Sequence, residues 1–409
     1  MKTDVVIIGG GAAGLCAAVY LKQKKPELSV RVLEALPRVC KKLIVTGNGR
    51  CNISNKNISL ERYHGQNKEF CRYALEKFNL SVCEEFFEKI GVPFIYEDDK
   101  VYPASLQAGS VVDCLRFMAE ELGVIIHTDT KVTNINTLGK DYKVIANKVS
   151  FIAKNVIIAT GGLAGGEKYG CDGSMLNILQ SAGFGVVKST PSIVQIKTVN
   201  DVTKQLKGIK VDASVSLMKD GQVLRRDFGE VLFTDYGLSG PPIMQVSRQV
   251  SRVDGTIISL DIMPNIDYAD LCLVIQKRIS VMKNRSLEEF FTGMLNKRLG
   301  QIVLKLAGLK LSDSVAVIDN AAIEKIAHIL KNMEFNVIGT TGFANAQVTA
   351  GGLDTTQFNP RTMESVDCKG LYCVGEILDI DGDCGGFNLQ WAWSSAMCAV
   401  ESIVGNSVC

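Results

Sequence analysis

The sequence lacks the features that mark nucleic-acid-binding proteins, membrane proteins, zinc ribbons and redox-active dithiols. Its 409 residues carry a formal net charge of only +2. No group of lysines and arginines with interleaved aromatic residues occurs, so nucleic-acid binding has little support. No apolar run approaches the roughly 20 residues that span a bilayer. None of the thirteen cysteines forms a Cys-x-x-Cys pair, which argues against a zinc ribbon and a redox-active dithiol.

The remaining composition is that of an ordinary globular protein. Apolar residues make up 46% of the chain and charged residues 22%, and the length predicts two or three domains. Scattered cysteines in a long chain predict reduced, buried thiols. Residues 5–21 are apolar after Lys2, as in a secretory signal, but Asp4 and four glycines indicate a strand and a helix instead. We therefore expect a cytoplasmic protein with no membrane partner.

The first 34 residues carry a nucleotide-binding pattern. A β-branched run at residues 5–8 predicts a buried strand that enters GGGAAG, from Gly9 to Gly14, at the start of a helix. A second predicted strand, residues 30–33, ends at Glu34, which can accept hydrogen bonds from the hydroxyls of an adenosine ribose. This order predicts a Rossmann-like dinucleotide site without distinguishing NAD from FAD.

Each residue type in this pattern has a mechanical purpose. Gly9 permits the tight turn, Gly11 lets a pyrophosphate approach the backbone, and Gly14 lets the helix pack closely against the strand. Ala12 and Ala13 open the helix, whose free N–H groups and partial positive charge favour phosphate.

Two loops supply further candidate cofactor contacts. The loop after Glu34 combines glycines, amides and a cation, which suit contacts to phosphate or to the edge of a flavin. A predicted buried strand at residues 152–159 enters a second glycine turn. The candidates are Lys42, Thr46, Gly47, Asn48, Gly49, Arg50, Cys51 and Asn52 in the first loop, and Thr160 and Gly161 in the second.

The C-terminal segment predicts the other half of the site. A strand at residues 371–374 enters a turn at Gly375 and Glu376, and a helix is predicted to begin near Asn388, after Gly385 and Gly386. Adjacent glycines permit a flat ring to approach the backbone. The N–H groups of Phe387, Asn388 and Leu389 could then stabilise the negative charge that collects on a reduced flavin, which favours FAD over NAD.

An acidic loop precedes this helix. Asp379, Asp381 and Asp383 have the spacing of the first calcium ligands of a binding loop, but Cys384 and Gln390 stand where that loop needs glycine and glutamate. We expect no metal there. The loop, Asp381 in particular, is predicted to contact ribityl hydroxyls or to cap the helix.

The middle of the chain changes character twice. From about residue 186, short alternating runs, among them 222–225 and 231–233, predict antiparallel strands of a small barrel or sandwich. From residue 267 the pattern becomes helical, at residues 268–282, 287–295, 300–306 and 321–331. We predict an FAD-binding domain (1–186 plus 345–409), a β domain (187–266 plus 334–344) and a helical cap (267–333). The predicted fold class is α/β, a Rossmann-like domain interrupted by a β-barrel-like domain that carries the helical cap.

The chain resembles the three-domain bacterial FAD flavoproteins that include aminoacetone oxidase and 3-dehydro-bile-acid Δ4,6-reductase. The matching segments, in order from end to end, are GGGAAG, TGNGRCN from Thr46, VYPAS from Val101, ATGG from Ala159, GEVLFTDYGLSGP from Gly229, VTAGG from Val348, TMES from Thr362 and LYCVGEILDIDGDCGGFNLQWAWSS from Leu371. The resemblance implies FAD in a Rossmann-like domain of the glutathione-reductase type, a β domain over the flavin and a helical cap. It also implies FAD contacts at Ala13, Glu34, Val132, the 46–52 loop and the 375–389 segment. Extra cysteines, including Cys384, depart from the pattern.

The sequence leaves three interpretations of the reaction open. No second Gly-x-Gly-x-x-Gly is present for a resident nicotinamide, so NAD(P)H would act as a transient reductant. One interpretation is a reductase that transfers hydride from reduced flavin to a C=C conjugated to a ketone. The resemblance suggests a 3-oxo steroid or bile acid, and the apolar cap sequence leans toward such a hydrophobic small molecule. A second is an oxidase of small amines that uses dioxygen. A third is a non-catalytic or RNA-modifying flavoprotein.

No residue identifies itself as the catalytic acid. Tyr102, Tyr169 and Tyr236 could protonate a substrate carbon, but a packing role is the more economical interpretation of each. The three histidines, His64, His127 and His328, are isolated in the sequence and are expected to be structural. The oligomeric state is not indicated by the sequence.

Overall fold

In the computed structural model the chain forms two compact units. The first comprises Met1–Pro191 together with the chain from Phe343 onward, and the second comprises Ser192–Gly342. The structure describes residues 1–147, 149–199 and 201–406. Each unit has a hydrophobic core of its own. The glycine-rich N-terminal pattern and the C-terminal segment both lie in the first unit.

The helices and strands follow one another as listed here in chain order. Up to Ser192 they are β1 (Lys2–Ile8), α1 (Ala12–Lys24), β2 (Val30–Leu33), β3 (Ser54–Asn55), β4 (Tyr63–His64), α2 (Arg72–Lys77), α3 (Leu80–Lys89), β5 (Phe94–Glu97), β6 (Lys100–Pro103), α4 (Ala108–Glu121), β7 (Ile125–His127), β8 (Val132–Leu138), β9 (Asp141–Ala146), β10 (Ser150–Ile158), α5 (Ser174–Ser181) and β11 (Val186–Ser192). Then come β12 (Ile196–Val199), α6 (Asp201–Gln205), β13 (Lys210–Lys219), β14 (Gln222–Phe233), β15 (Gly237–Ser239), α7 (Pro241–Val250), β16 (Ile257–Asp261), α8 (Tyr268–Met282), α9 (Lys297–Leu306), α10 (Asn320–Lys331) and β17 (Met333–Thr340). The chain ends with β18 (Val348–Leu353), β19 (Leu371–Cys373), β20 (Asp381–Gly382) and α11 (Phe387–Asn406).

The main sheet of the first unit is parallel at its centre. Its order is β7-β2-β1-β10-β9-β8, and β19 also pairs with β10. β1 pairs in parallel with β2 and β10, and β10 pairs in parallel with β19. The β-branched run predicted as a buried strand is buried completely, with Val5, Val6 and Ile7 at 0% exposure, as a strand covered on both faces should be.

Helix α11 forms much of the core beside α1. Its two tryptophans, Trp391 and Trp393, are buried and are the two tryptophans of the chain. Trp393 Nε1 donates a hydrogen bond to Ile53 O at 3.1 Å. The buried amide of Gln390 bonds to Phe78 O and Ser394 Oγ at 2.9 Å each. None of the described helices combines the length and the hydropathy needed to cross a bilayer.

The second unit contains a closed barrel, with the strand order β12-β15-β14-β13-β16-β17. Side chains of β13 alternate, so that Ala213, Val215 and Leu217 lie in the core while the serines between them face the other way. The barrel and the helices between β16 and β17 share one hydrophobic core. A Rossmann-like unit interrupted by a β-barrel with inserted helices confirms the predicted fold class, whereas the three domain boundaries stay a prediction.

Some element predictions in the second unit are wrong. The two short strands at 222–225 and 231–233 are one strand, β14, because β13 pairs with it from Gln222 to Leu232, with one irregularity at Leu224. The helix predicted at 287–295 is only a short 3₁₀ turn, Leu287–Glu289, because Gly293 takes a φ of +81° that an α-helix does not allow. Helix α7, with prolines at its start, is missing from the prediction.

Gly14→Ala should destabilise the first unit. A Cβ placed on Gly14 would lie 1.9 Å from Gly9 O, so we expect the free energy of unfolding to fall by about 3 kcal/mol. Gly109→Ala is the matched control, because a Cβ on this α4 residue meets no atom within 4 Å. The control should leave stability unchanged or raise it by up to about 1 kcal/mol. Urea unfolding followed by tryptophan fluorescence reports this unit, and equal stability of the two variants would contradict the packing.

Candidate functional site

The predicted cofactor residues collect where neighbouring parallel strands end. β2, β1, β10 and β19 lie side by side. Their carboxyl ends lead into Glu34, Gly9, Thr160 and Gly375, respectively. The carboxyl edge of a parallel sheet is where open α/β folds bind their ligands. The sheet order therefore brings together residues from the first and the last part of the chain.

Gly11 differs from the other glycines of the first turn. Gly9 (φ +103°) and Gly14 are required by the protein itself, because a Cβ on either would contact backbone atoms closer than 3 Å. Apart from its two neighbours in the chain, a Cβ on Gly11 would meet no atom of the described chain within 4 Å. Gly11 is the N-cap of α1, and no described side chain caps the helix there. The space beside Gly11 and the N–H groups of Ala12 and Ala13 form a cradle suited to an anion.

Glu34 lies beside this cradle and is held by the backbone. Its Oε2 accepts the N–H of Gly10 and its Oε1 accepts the N–H of Leu36, each at 2.8 Å. Burial raises the pKa of Glu34, although the backbone hydrogen bonds oppose the shift. The Gly10 contact, which the sequence interpretation missed, fixes the carboxyl group next to the glycine turn. Each oxygen keeps a further lone pair for a ribose hydroxyl.

Thr160 contributes a buried hydroxyl without a protein partner. Its Oγ1 is buried and makes no hydrogen bond within the described chain. The residue lies against the glycine turn, since a Cβ on Gly9 would come within 3.0 Å of Thr160 Cα. The next residue, Gly161, has a φ of +69° and open space where a Cβ would be. A buried hydroxyl without a partner is costly, so it indicates a site completed by another molecule.

Lys42 and Glu376 form an ion pair that joins the two halves of the site. Lys42 Nζ lies 2.7 Å from Glu376 Oε2, although the residues are 334 positions apart. Glu376 Oε1 accepts the N–H of Thr349 at 2.9 Å. Desolvation opposes the charge on Lys42, but Glu376 and a smaller contribution from Cys171 raise the pKa of Lys42 overall. The lysine is therefore a charged anchor for the loop.

The loop from Thr46 to Asn52 has an unusual backbone. Gly47, Asn48 and Cys51 have φ values of +55°, +56° and +58°, a region that non-glycine residues enter rarely. Thr46 holds the turn: its Oγ1 donates to Leu43 O at 2.7 Å, and its carbonyl accepts the N–H of Cys51 at 3.0 Å. The exposed turn at Asn48 and Gly49 consequently keeps one defined shape.

Arg50 points away from this turn onto a neighbouring strand. Its guanidinium lies 4.3 Å from the centre of the Tyr102 ring and pairs with Glu97. Desolvation raises the pKa of Tyr102, while Arg50 lowers it in part. The Arg50 side chain thus already has protein partners, and its part in cofactor binding stays a prediction.

The turn after β19 contacts the start of α1. Gly375 has a φ of +73°, and a Cβ on it would lie 3.3 Å from the Cβ of Ala13. The turn is held by α11, because Ser395 Oγ accepts the Gly375 N–H at 2.9 Å and Trp391 Nε1 donates to Gly375 O at 3.1 Å. The predicted meeting of the two terminal segments is present in the structure.

Protein packing accounts for Gly386. A Cβ on it would lie 2.3 Å from Ser54 O. With its amide oriented to donate to the carbonyls of Ser54 and Val101, Asn52 accepts the N–H of Gly386 at 3.3 Å. Gly386 therefore serves a close backbone approach that the sequence interpretation did not foresee, and a flat ring is not needed to account for it. Gly385 (φ +122°) is less crowded, with Phe387 atoms 3.5 Å from a Cβ.

The first turn of α11 presents backbone N–H groups. The Gln390 N–H bonds to Gly386 O at 3.0 Å, so Phe387, Asn388 and Leu389 hold the positions whose N–H groups a helix leaves without internal acceptors. The Asn388 side chain bonds to the N–H and C=O of Gly382 at 2.8 Å each. Asn388 thereby fixes the helix start against β20.

The acidic loop before α11 is buried. Asp383 Oδ1 lies 2.8 Å from His64 Nε2, and Asp379 Oδ2 accepts the Gln66 N–H at 2.8 Å. Asp381 is fully buried, and its backbone lies opposite that of His64 in the antiparallel pair of β20 and β4. No group of His, Cys, Asp and Glu residues suited to a metal occurs in the described ranges. The loop is tied to protein groups, and the Asp381 contact to a ribityl chain stays a prediction.

Val132, His127 and Tyr236 lie in different environments. Val132 begins β8 with a buried side chain, and the nearby Thr130 N–H donates to Glu34 O at 2.8 Å, which brings this segment to the end of β2. His127 contacts Arg31 at 2.9 Å, and burial lowers the pKa of His127. Tyr236 lies in the second unit. None of these positions identifies a proton donor.

Comparison with known proteins assigns the family. The model of the HI0933-like protein Rossmann domain matches residues 3–402, and the chain belongs to this family. The chain is 33% identical to the 3-dehydro-bile acid delta(4,6)-reductase of Clostridium scindens, over 96% of this chain and 97% of that protein. It is 28% identical to the ribosomal RNA dihydrouridine synthase of Haemophilus influenzae, over 98% of each.

A solved structure shares the fold. The 3-ketosteroid delta1-dehydrogenase from Sterolibacterium denitrificans superposes with a TM-score of 0.51 at 13% identity, covering 99% of this chain and 100% of that one. The family and the fold together support the coarser part of the sequence-based prediction, an FAD-dependent oxidoreductase.

Lys42→Met should weaken the first unit by leaving Glu376 without its cation. The two side chains are only 26% and 21% exposed, so we expect the free energy of unfolding to fall by about 1–3 kcal/mol. Lys89→Met is the control, because its partner Glu85 and Lys89 itself are well exposed and such pairs contribute less than about 1 kcal/mol. Equal losses in the two variants, measured by urea unfolding, would contradict the anchoring role.

Proposed function

We propose that the first unit binds one FAD along the carboxyl edge of its parallel strands. The observation that carries this proposal is the cradle at Gly11, where neither a side chain nor a packing contact of the described chain explains the glycine. The uncapped N-terminus of α1 would hold the pyrophosphate, and Glu34 would accept hydrogen bonds from the adenosine ribose. The unpartnered Thr160 hydroxyl beside the turn supports the same occupant.

The flavin end of the site would lie toward α11. The N–H groups of Phe387, Asn388 and Leu389 would face the pyrimidine edge of the ring, and Lys42, through Glu376, would hold the 46–52 loop in place. The full proposed set is Gly9, Gly11, Ala12, Ala13, Gly14, Glu34, Lys42, Thr46, Gly47, Asn48, Gly49, Arg50, Cys51, Asn52, Val132, Thr160, Gly161, Gly375, Glu376, Asp381, Gly385, Gly386, Phe387, Asn388 and Leu389.

The proposed reaction is reduction of a C=C bond conjugated to a carbonyl. When bound and reduced, FAD would supply the hydride, and the protein's part would be to bind the cofactor and to favour negative charge at the helix start. The substrate we favour is a 3-oxo steroid or bile acid, because the relative with that named activity matches nearly the whole chain at 33% identity. NAD(P)H, visiting without a dedicated domain, is the proposed source of electrons.

A second candidate substrate is uridine in ribosomal RNA. The relatives with that named activity also match end to end, at 28% identity. The chemistry is of one kind, since dihydrouridine is uridine saturated at a ring C=C conjugated to a carbonyl. The near-neutral charge of the chain favours the small molecule over a polyanion.

Gly11→Ala should separate cofactor binding from folding. Because nothing in the described chain lies within 4 Å of the added methyl group, the stability of the apoprotein should change by less than about 1 kcal/mol. Against bound pyrophosphate the same methyl group would cost about 1–3 kcal/mol, so FAD affinity should fall about 5- to 150-fold. Gly109→Ala serves again as the control. Unchanged FAD affinity, measured by fluorescence quenching, would contradict the proposed position of the pyrophosphate beside Gly11.

Anaerobic stopped-flow absorbance of the FAD-loaded protein tests the reaction. We expect NADH or NADPH to bleach the flavin, and a 3-oxo-Δ4,6 bile acid to restore its colour faster than buffer does. Restoration by a uridine-containing ribosomal RNA transcript, and not by the bile acid, would establish the second candidate. Bleaching by a small amine alone would contradict both and establish the oxidase interpretation.

A further inference from the structure

The second unit contains a polar cavity on the outer face of its barrel. The cavity measures about 350 Å³, within the ~300–1,000 Å³ range of small-molecule sites. It lies where β13, β14 and β16 face the start of α8 and the end of α10. Its lining residues are Ser214, Ser216, Met218, Val223, Arg226, Ser259, Asp261, Tyr268, Lys331 and Asn332.

Two charged residues of the cavity neutralise each other. Lys331 Nζ lies 2.7 Å from Asp261 Oδ2 and also donates to Met263 O at 3.0 Å and Ile266 O at 2.8 Å. All three donors of this ammonium group are therefore in use. The other oxygen of Asp261 accepts the Met263 N–H at 3.0 Å. The pair adds no net charge to the cavity.

Arg226 is a cation, and some of its hydrogen-bond donors have no acceptor in the described part of the chain. Its Nε donates to Ser216 Oγ at 3.1 Å, which orients the guanidinium. Within the part of the chain that the structure describes, its two terminal nitrogens make no hydrogen bond and Arg226 forms no ion pair. These nitrogens form one edge of the planar fork that matches a carboxylate. The cavity consequently has one positive charge that the protein leaves open to an anion.

Ser259 places a hydroxyl in the same part of the cavity as this cation. The residue is 6% exposed and lines the cavity, and its hydroxyl has no partner among the residues that the structure describes. Ser216 is the cross-strand partner of both Arg226 and Ser259. The three residues form one row across β14, β13 and β16, with strands about 4.8 Å apart, so the long arginine side chain can share a ligand with Ser259.

One wall of the cavity is apolar. Met218 and Val223, which pair across β13 and β14, line it and follow Ser216 along the same face of the sheet. Val223 is 46% exposed. An inorganic ion would not cover this apolar wall, whereas a ligand with an apolar body would remove it from water.

We propose that this cavity binds a small organic carboxylate. Its oxygens accept hydrogen bonds from the terminal nitrogens of Arg226 and the hydroxyl of Ser259, and its apolar part lies against Met218 and Val223. All of the binding groups belong to the second unit, so the site does not depend on the proposed FAD site or on the proposed reaction.

Methyl NMR of the full-length, FAD-loaded protein, labelled at the methionine methyl groups, tests the site. Met218 reports from inside the cavity and is assigned with Met218→Leu. We expect 4-phenylbutyrate to shift the Met218 signal saturably. Arg226→Gln should raise the Kd about 10- to 100-fold, and Ser259→Ala should raise it about 3- to 10-fold. The remaining methionine signals show whether each variant is folded.

Arg225→Gln is the matched control, because it removes the same charge from the adjacent residue, which does not line the cavity. It should leave the Kd within about twofold, a difference too small to signal a lost contact. The proposal is overturned if Arg226→Gln and Arg225→Gln have the same Kd, or if the neutral analogue 4-phenylbutanol binds as tightly as the acid. A Met218 shift with inorganic phosphate and none with 4-phenylbutyrate would overturn it as well.

Discussion

The position of β10 between β1 and β19 is the constraint on which the site depends. Parallel pairing on both sides brings the ends of strands from the beginning and the end of the chain to the same edge of the sheet. The turn at Gly375 then contacts Ala13 at the start of α1. Hydrogen bonds from Ser395 and Trp391 of α11 fix that turn. Backbone hydrogen bonds and buried side chains thereby hold the N-termini of α1 and α11 at one edge of the sheet. Both N-termini favour negative charge.

The glycines of the site fall into two groups. Gly9, Gly14 and Gly386 are required by the protein, since a Cβ on each would collide with backbone oxygen atoms. Gly11 has open space instead, and Thr160 beside the same turn has a buried hydroxyl without a protein partner. Packing explains the first group completely. The second group is a structural cost unless a ligand fills the space and accepts the hydrogen bond, which makes it the stronger indication of a bound molecule.

Much of the first unit could be predicted from the sequence. The β-branched run, the glycine spacing and Glu34 follow from local preferences, and each lies where it was expected. The Lys42–Glu376 pair and the contact of Gly386 with Ser54 could not be predicted, because they join segments that meet only through the sheet. In the second unit the long strand β14 was divided in two, since its polar middle looks like a turn until β13 pairs with it. The catalytic acid could not be identified from the sequence, because a lone tyrosine does not stand at a characteristic spacing from other functional residues.

The two helix starts are proposed to bind opposite ends of a single FAD. A crystal structure of the protein reconstituted with FAD tests this proposal most directly. We expect the pyrophosphate against the backbone of Gly11 and Ala12, and the flavin ring beside the first turn of α11. A protein that remains colourless after reconstitution, or a flavin bound away from the carboxyl ends of β1 and β19, would contradict it.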